Sequence, residues 1–463
     1  MEQVAEECEI GLVAYTITHH TRQSAVGLPL IKTEVFGGKE YAVTEYTMSE
    51  IIASVYQCIE KQGYKEGILF IDEINCVSET LAPTMLQFLQ CKTFGTHKIP
   101  DGWVIVAAGN PPQYNKSVRE FDIVTLDRVK RIEVKEDYSV WRSYALKNKV
   151  HPSILAYLDL KTEQFYKIEA TADGYAFVTA RGWEDLSRIL WMYEESGLGI
   201  TVEFLFEYLQ HEEVARDFLG FYQLCKKIKE EYGLMQILEG TRDKEKLEKE
   251  ILKLKETEFD ARVAILTFLS DGIHQKIESY DKKEQKVQIQ YQEAKRLLEQ
   301  LENKKETDRF SELLGRKIEQ EKHAFLVKKE QGLLTKEEKW EKEQQREWLE
   351  ELKNAWKQSG TKSGTEQELI RTCFNQKREA QKQEKEKMQE ILERAFEFVG
   401  HAFGDGQESA MFVEQLSMDE CILKFIQKNG CSAYQKAGAC IQAEEREAEL
   451  QNEIQNLTNF LQK

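Results

Sequence analysis

The residues best placed to do chemistry are two adjacent carboxylates, Asp72 and Glu73. They end the run Gly67-Ile68-Leu69-Phe70-Ile71 and precede Ile74-Asn75. Consecutive large apolar residues without alternation read as a strand buried on both faces, as in a parallel sheet covered by helices. The carboxyl edge of such a sheet is where open α/β folds bind ligands. In nucleotide hydrolysis Asp72 would hold Mg²⁺ through oxygen, and Glu73 would orient or deprotonate the attacking water. A second continuous apolar run, Trp103 to Ala108, leads into Gly109-Asn110-Pro111-Pro112 and brings the Asn110 amide to the same edge. The plainer alternative is a strand ending in a solvated acidic turn, with Asn110 as a turn former. The adjacent His19 and His20 point apart on any regular element, so they read as a polar loop and not a metal pair. Nine cysteines contain no C-x-x-C pair. Cys421, Cys431 and Cys440 lack a matching histidine cluster, so they read as reduced thiols.

The elements that must position these groups follow from periodicity. Residues 1–9 read as the tail of a helix and Leu12–Ile17 as a short strand. Ile31–Phe36 and Glu40–Tyr46 form a hairpin across Gly37-Gly38. Met48–Ile59 has helical spacing. A helix starts near Thr80–Pro83, where proline is tolerated in a first turn. Lys92–Ile99 reads as a second small hairpin, Val118–Leu126 as a short helix or turn, and Val129–Val134 as a further strand. Alternating strands and helices with polar strand ends predict a doubly wound α/β domain over residues 1–140.

The rest reads as helix. All six prolines fall within the first 152 residues, which suits nearly continuous helix beyond them. Residues 1–240 hold 24 basic and 36 acidic side chains, and residues 241–463 hold 40 and 45. Dense, nearly balanced charge is expected of long exposed helices with i,i+4 pairs. Residues 141–240 are predicted to be a helical, aromatic-rich domain. Residues 241–463 are predicted to be a charged helical extension, arranged as an antiparallel arm more than as a long two-chain coiled coil. Ser359–Thr365 reads as a flexible break, Glu366–His401 as helix ended by Gly404-Asp405-Gly406, and Ser409–Lys428 as one amphipathic helix. The final 20 residues read as another charged helix. The net charge of −17 argues against nucleic acid or an anionic membrane as the main partner. No apolar run approaches membrane-spanning length, and the acidic start MEQVAEECEIG is not a secretory signal. A cytoplasmic protein is expected.

Taken in order, these residues resemble the MoxR family of AAA+ ATPases over roughly residues 1–235. FIDEIN (Phe70–Asn75) resembles the Walker B element, AAGNPP (Ala107–Pro112) the first sensor, and LDRV (Leu126–Val129) the arginine-finger segment. In VTARGWEDLSRIL, Thr179 can cap a helix, leaving Arg181 in its first turn in a manner similar to the second sensor of the lid domain. The resemblance implies an AAA+ core, a helical lid, and ATP and Mg²⁺ as cofactors. Asp72 would hold the metal, Glu73 would activate water and Asn110 would place it. Arg128, with Arg131 as its rival, would reach a neighbouring subunit's γ-phosphate, and Arg181 would sense the nucleotide. It also implies a ring, typically a hexamer, that remodels or matures client proteins, often ones with a von Willebrand factor A domain.

One departure matters most. No G-x-x-x-x-G-K-[ST] phosphate loop occurs in the chain. MEQVAEEC resembles the helix that follows that loop, so the central strand and phosphate cradle are expected upstream of Met1. Without that strand, inner neighbours keep unpaired backbone groups at on the order of 1–3 kcal/mol each, against about 5–15 kcal/mol of total domain stability. The alternative function is a non-catalytic assembly or scaffold protein with an ATPase-like body.

Overall fold

The structure is a computed structural model that describes all residues except 18–26, 112–126, 128, 173, 303–309, 331–335, 359–365 and 440–463. It divides into two compact units. The first comprises residues 1–134 with 305–359, and the second 135–304 with 360–463.

In the first unit, helix α1 (Glu2–Glu7) leads into strand β1 (Gly11–Thr16). The ribbon β2 (Pro29–Phe36) and β3 (Lys39–Tyr46) follows, antiparallel across Gly37 and Gly38, both of which have positive φ. Helix α2 (Glu50–Gln62) is capped by the Ser49 hydroxyl, which accepts from the Ile52 N–H, and closed by left-handed Gly63. It buries Ile51, Ile52, Val55 and Cys58. Then come β4 (Gly67–Asp72), α3 (Ala82–Cys91), the short pair β5 (Thr93–Phe94) and β6 (His97–Lys98), and β7 (Trp103–Ala107).

β1, β4 and β7 form a parallel sheet in that order, with Gly11 aligned to Gly67 and Gly67 to Trp103. The two glycines make room for one indole. A Cβ on Gly67 would stand 2.6 Å from the Gly11 carbonyl oxygen and 2.7 Å from the Trp103 ring. Trp103 is thereby buried at the base of all three strands. The core around the sheet contains Ile51, Ile52, Leu69, Ile71, Met85 and Phe88, and Phe88 stacks on Phe94 at 3.9 Å.

The strand expected at 129–134 is absent: those residues carry no strand pairing. Ile132 and Val134 are 84% and 90% exposed. An extended segment needs a ladder partner to satisfy its backbone, and β7 ends the described sheet. The expected Val118–Leu126 turn and the helix of the final 20 residues lie outside the described residues.

The second unit is helical with one small ribbon. It contains α4 (Tyr138–Lys147), α5 (Pro152–Leu160), β8 (Lys167–Thr171) and β9 (Gly174–Val178), α6 (Ala180–Ser196), α7 (Val202–Tyr208) and α8 (Glu212–Glu231). The chain continues through α9 (Leu234–Glu239), α10 (Lys244–Leu254) and the long α11 (Phe259–Glu302). Helices α12 (Phe310–Glu330) and α13 (Lys336–Gln358) belong to the first unit. They pair antiparallel, with Phe310 edge-on to Trp356 at 5.0 Å and Lys342 2.8 Å from Glu321. Helices α14 (Glu366–Phe403), α15 (Gln407–Met418) and α16 (Glu420–Asn429) complete the second unit.

The ribbon β8–β9 corrects the all-helical reading of residues 141–240. The expected Ser409–Lys428 helix is also divided, because the Asp419 carboxylate caps a new helix by accepting from the Cys421 and Ile422 N–H groups. Helices α11 and α14, 44 and 38 residues long, run antiparallel. Lys283 meets Glu384 at 3.3 Å and Tyr291 meets Phe374 at 5.5 Å between centroids. One hydrophobic core joins buried residues between Ala145 and Tyr280 to others between Met388 and Cys431.

Candidate functional site

The carboxyl ends of the parallel strands bring polar residues to one edge. Thr16 aligns with Asp72, and Ile71 aligns with Ala107. β4 is buried from Gly67 to Ile71, except that Phe70 is half-buried, and emerges at half-buried Asp72. An apolar strand between two neighbours fixes where its last carboxylate emerges.

The turn after β4 is unusual. Glu73 has φ 54° and ψ 37°, the left-handed region, with a full side chain. Its N–H donates to Asp72 Oδ1 at 3.0 Å. The Glu73 carbonyl accepts from the Cys76 N–H at 2.8 Å, closing a short 3₁₀ turn over Ile74–Cys76. A non-glycine in this region costs on the order of 1 kcal/mol or more, and Glu9, Lys92 and Lys149 share it; Glu73 differs in standing at the carboxyl end of a buried parallel strand.

This turn is fastened to the end of β7. The Ile74 N–H donates to the Ala108 carbonyl at 2.9 Å, and the Ala108 N–H donates to the Ile71 carbonyl at 2.9 Å. Asn75 Nδ2 donates to the Asn110 carbonyl at 2.7 Å. The Asn75 amide lies so close to the backbone that a Cβ on Gly109 would stand 2.4 Å from its Oδ1. That Oδ1 is buried without a hydrogen-bond partner. Asn75 and Gly109 therefore fix the spacing between the two strand ends, and the sequence reading assigned neither a role. The signal available to it was the Asn two residues after Asp-Glu, together with Gly before Asn110.

Asp72 ends β4 with Glu73 next to it, and the backbone of Asn110, beyond β7, is tied to the turn that follows them. Arg128 and the His19-His20 pair lie outside the described residues. Arg131 is exposed in the segment after β7. Arg181 stands in the second unit, exposed in the first turn of α6, whose cap is the Thr179 hydroxyl accepting from the Gly182 N–H at 3.3 Å. The edge offers hard oxygen donors, the Asp72 and Glu73 carboxylates, and an amide at Asn110. This chemistry suits Mg²⁺ and an attacking water. The fit stops short of the β- and γ-phosphates, since no glycine-rich loop with lysine occurs in the sequence.

No protein-family model, curated protein or solved structure matches this chain. No helix among the described residues is long and apolar enough to cross a membrane.

Proposed function

We propose that this chain carries the metal- and water-handling half of a nucleotide-hydrolysing site, in a MoxR-like AAA+ ATPase. The observation that carries the reading is the left-handed Glu73 at the end of a buried parallel strand, fastened through Asn75 to the Asn110 carbonyl just past the end of the next strand. Asp72 would hold Mg²⁺, Glu73 would orient and deprotonate water, and the Asn110 amide would position it. Bound Mg²⁺ would neutralise charge building on the transferred phosphoryl group.

The AAA+ assignment, the ring with Arg128 acting in trans and Arg181 as lid sensor, the cytoplasmic setting and remodelling of a protein client rest on the sequence resemblance. The exposed ribbon β2–β3 supports a role in protein contact, since Ile31, Val35 and Phe36 all face solvent. The net charge of −17 favours protein partners over nucleic acid.

The test uses the full-length natural protein that carries these residues. Glu73→Gln should abolish ATP turnover and leave ATP binding intact. Turnover unchanged by this substitution overturns the assignment. A second reading, a non-catalytic scaffold built on the helical unit, is favoured by that unit's large continuous hydrophobic core. It requires that the same protein bind no Mg-ATP by calorimetry.

A further inference from the structure

We propose that His274, Asp419 and Cys421 form a binding site for a transition-metal cation of the zinc class, beside a cavity of about 750 Å³ in the second unit. His274 comes from the middle of α11, Asp419 from the break between α15 and α16, and Cys421 from the first turn of α16. One ligand atom from each lies within 4.8 Å of the other two. Among the described residues this is the one group of three or more such side chains that converges in this way.

The division of labour within Asp419 supports the assignment. Its Oδ1 caps α16, accepting from the Cys421 and Ile422 N–H groups at 3.0 and 3.1 Å. Its Oδ2 faces His274 Nδ1 at 2.7 Å. Capping therefore uses one oxygen and leaves the other for a cation. The Cys421 thiol does not sit in an apolar pocket: its Sγ lies 3.5 Å from Asp281 Oδ2. Glu278, one helical turn beyond His274, lines the same cavity. Asp419, Asp281 and Glu278 thus surround one imidazole and one thiol. Lys149 and Lys282 engage Glu278, and Lys428 engages Glu284, on the outer side of the group.

The donor set selects the metal class. One sulfur, one imidazole nitrogen and one carboxylate oxygen favour Zn²⁺ or Co²⁺ over Mg²⁺ or Ca²⁺, which prefer oxygen alone. Tetrahedral zinc bonds of about 2.0–2.3 Å place donor atoms about 3.3–3.6 Å apart. The His274–Asp419 separation would open by about half an ångström, and the thiol, within 4.8 Å of both, would draw in by at most about 1.3 Å. The metal displaces the thiol proton and any proton on Nδ1 to solvent, leaving thiolate and neutral imidazole as ligands. His274 lines the cavity, which brings solvent to the imidazole, whereas Asp419 is buried behind it. Spacing in the sequence could not reveal this site, because His274 and Asp419 are 145 residues apart.

The 463-residue chain, stripped of metal by chelator, would be titrated with Co²⁺. The expected result is one Co²⁺ per chain, with a thiolate-to-cobalt charge-transfer band displaced by Zn²⁺. Cys421→Ser and Asp419→Asn, which keep shape and the helix cap, should each weaken binding more than about tenfold, the least expected for loss of a group governing a metal. A band that persists in Cys421→Ser, or weakening below tenfold, overturns the proposal. If a variant loses its far-ultraviolet helical signal, the unsubstituted chain decides. Zn²⁺ must then protect Cys421 from alkylation, read by mass spectrometry of its peptide, and alkylation at an unchanged rate overturns the site.

Discussion

Glu73 separates stability from chemistry. Left-handed backbone costs an L-residue about 1–2 kcal/mol, whereas glycine is indifferent to it but loses about 0.5–1 kcal/mol in chain entropy. Glu73→Gly should therefore raise stability by about 0.5–1 kcal/mol, read as a higher urea midpoint, while removing the carboxylate from the edge. A lower midpoint would mean the Glu73 side chain holds the turn. A residue kept against its backbone preference fits a site where the group matters more than the fold. The positions of Asp72 and Glu73 could be read because they follow an apolar run directly, and that of Asn110 because it follows another after one glycine. Asn75 and Gly109 were not, because their roles depend on a 2.4 Å clearance between two strands distant in sequence. Periodicity carries no information of that kind.

At the scale of elements, Gly67 is the position where strand spacing is most constrained. An added methyl would meet the Gly11 carbonyl oxygen at 2.6 Å on one side and the Trp103 indole at 2.7 Å on the other. The first is backbone of a paired strand and cannot yield without shifting β1. Gly67→Ala should cost about 3 kcal/mol, the upper part of the usual overpacking range, seen as a fall in the urea midpoint. A loss below about 1 kcal/mol would show that the sheet adjusts. The central strands were readable because continuous apolar runs have few other uses. The β8–β9 ribbon lies inside a stretch whose overall composition reads as helix, although the dipeptide Asp173-Gly174 is a common hairpin signal. The α15–α16 break hinged on the one capping carboxylate at Asp419 inside an otherwise regular pattern. Residues 129–134 show the opposite failure: β-favouring residues make a strand only where a neighbour offers backbone partners.

At the scale of the whole chain, composition foretold the contrast between a proline-bearing α/β portion and a helical one whose single proline, Pro152, opens α5, but not how the helices share a core. Buried polar bonds decide that. Asp159 on α5 accepts from Arg142 on α4 at 2.8 Å and from Gln415 on α15 at 3.0 Å, and Gln415 also donates to Thr267 on α11 at 2.9 Å. No local pattern announces partners 256 residues apart. The same packing makes this unit's stability depend on pH. Burial lifts the Asp271 carboxyl from its ordinary 3.8 to about 6, despite nearby His274 and Lys229 and the amide of Gln275. A carboxyl raised in the folded state favours folding fully only below its unfolded value, and that contribution is lost as pH rises through about 6. Burial lowers His151, and the His151 side chain holds Glu194 at about 2. Both of these lose stability as pH falls: His151 below its ordinary 6.5, and Glu194 from its ordinary 4.5 toward 2. Asp271→Asn removes the first effect and, with it, the upward pull that the Asp271 carboxylate exerts on nearby His274. A tenfold change in proton affinity between the folded and unfolded chain corresponds to about 1.4 kcal/mol. The substitution should therefore leave stability at pH 4 nearly unchanged and raise it at pH 8 by at most about 3 kcal/mol. The difference between variant and parent urea midpoints should grow from pH 4 to about 6 and then level off. A difference independent of pH would mean that Asp271 acts through its hydrogen bond to Gln275 and not through its charge.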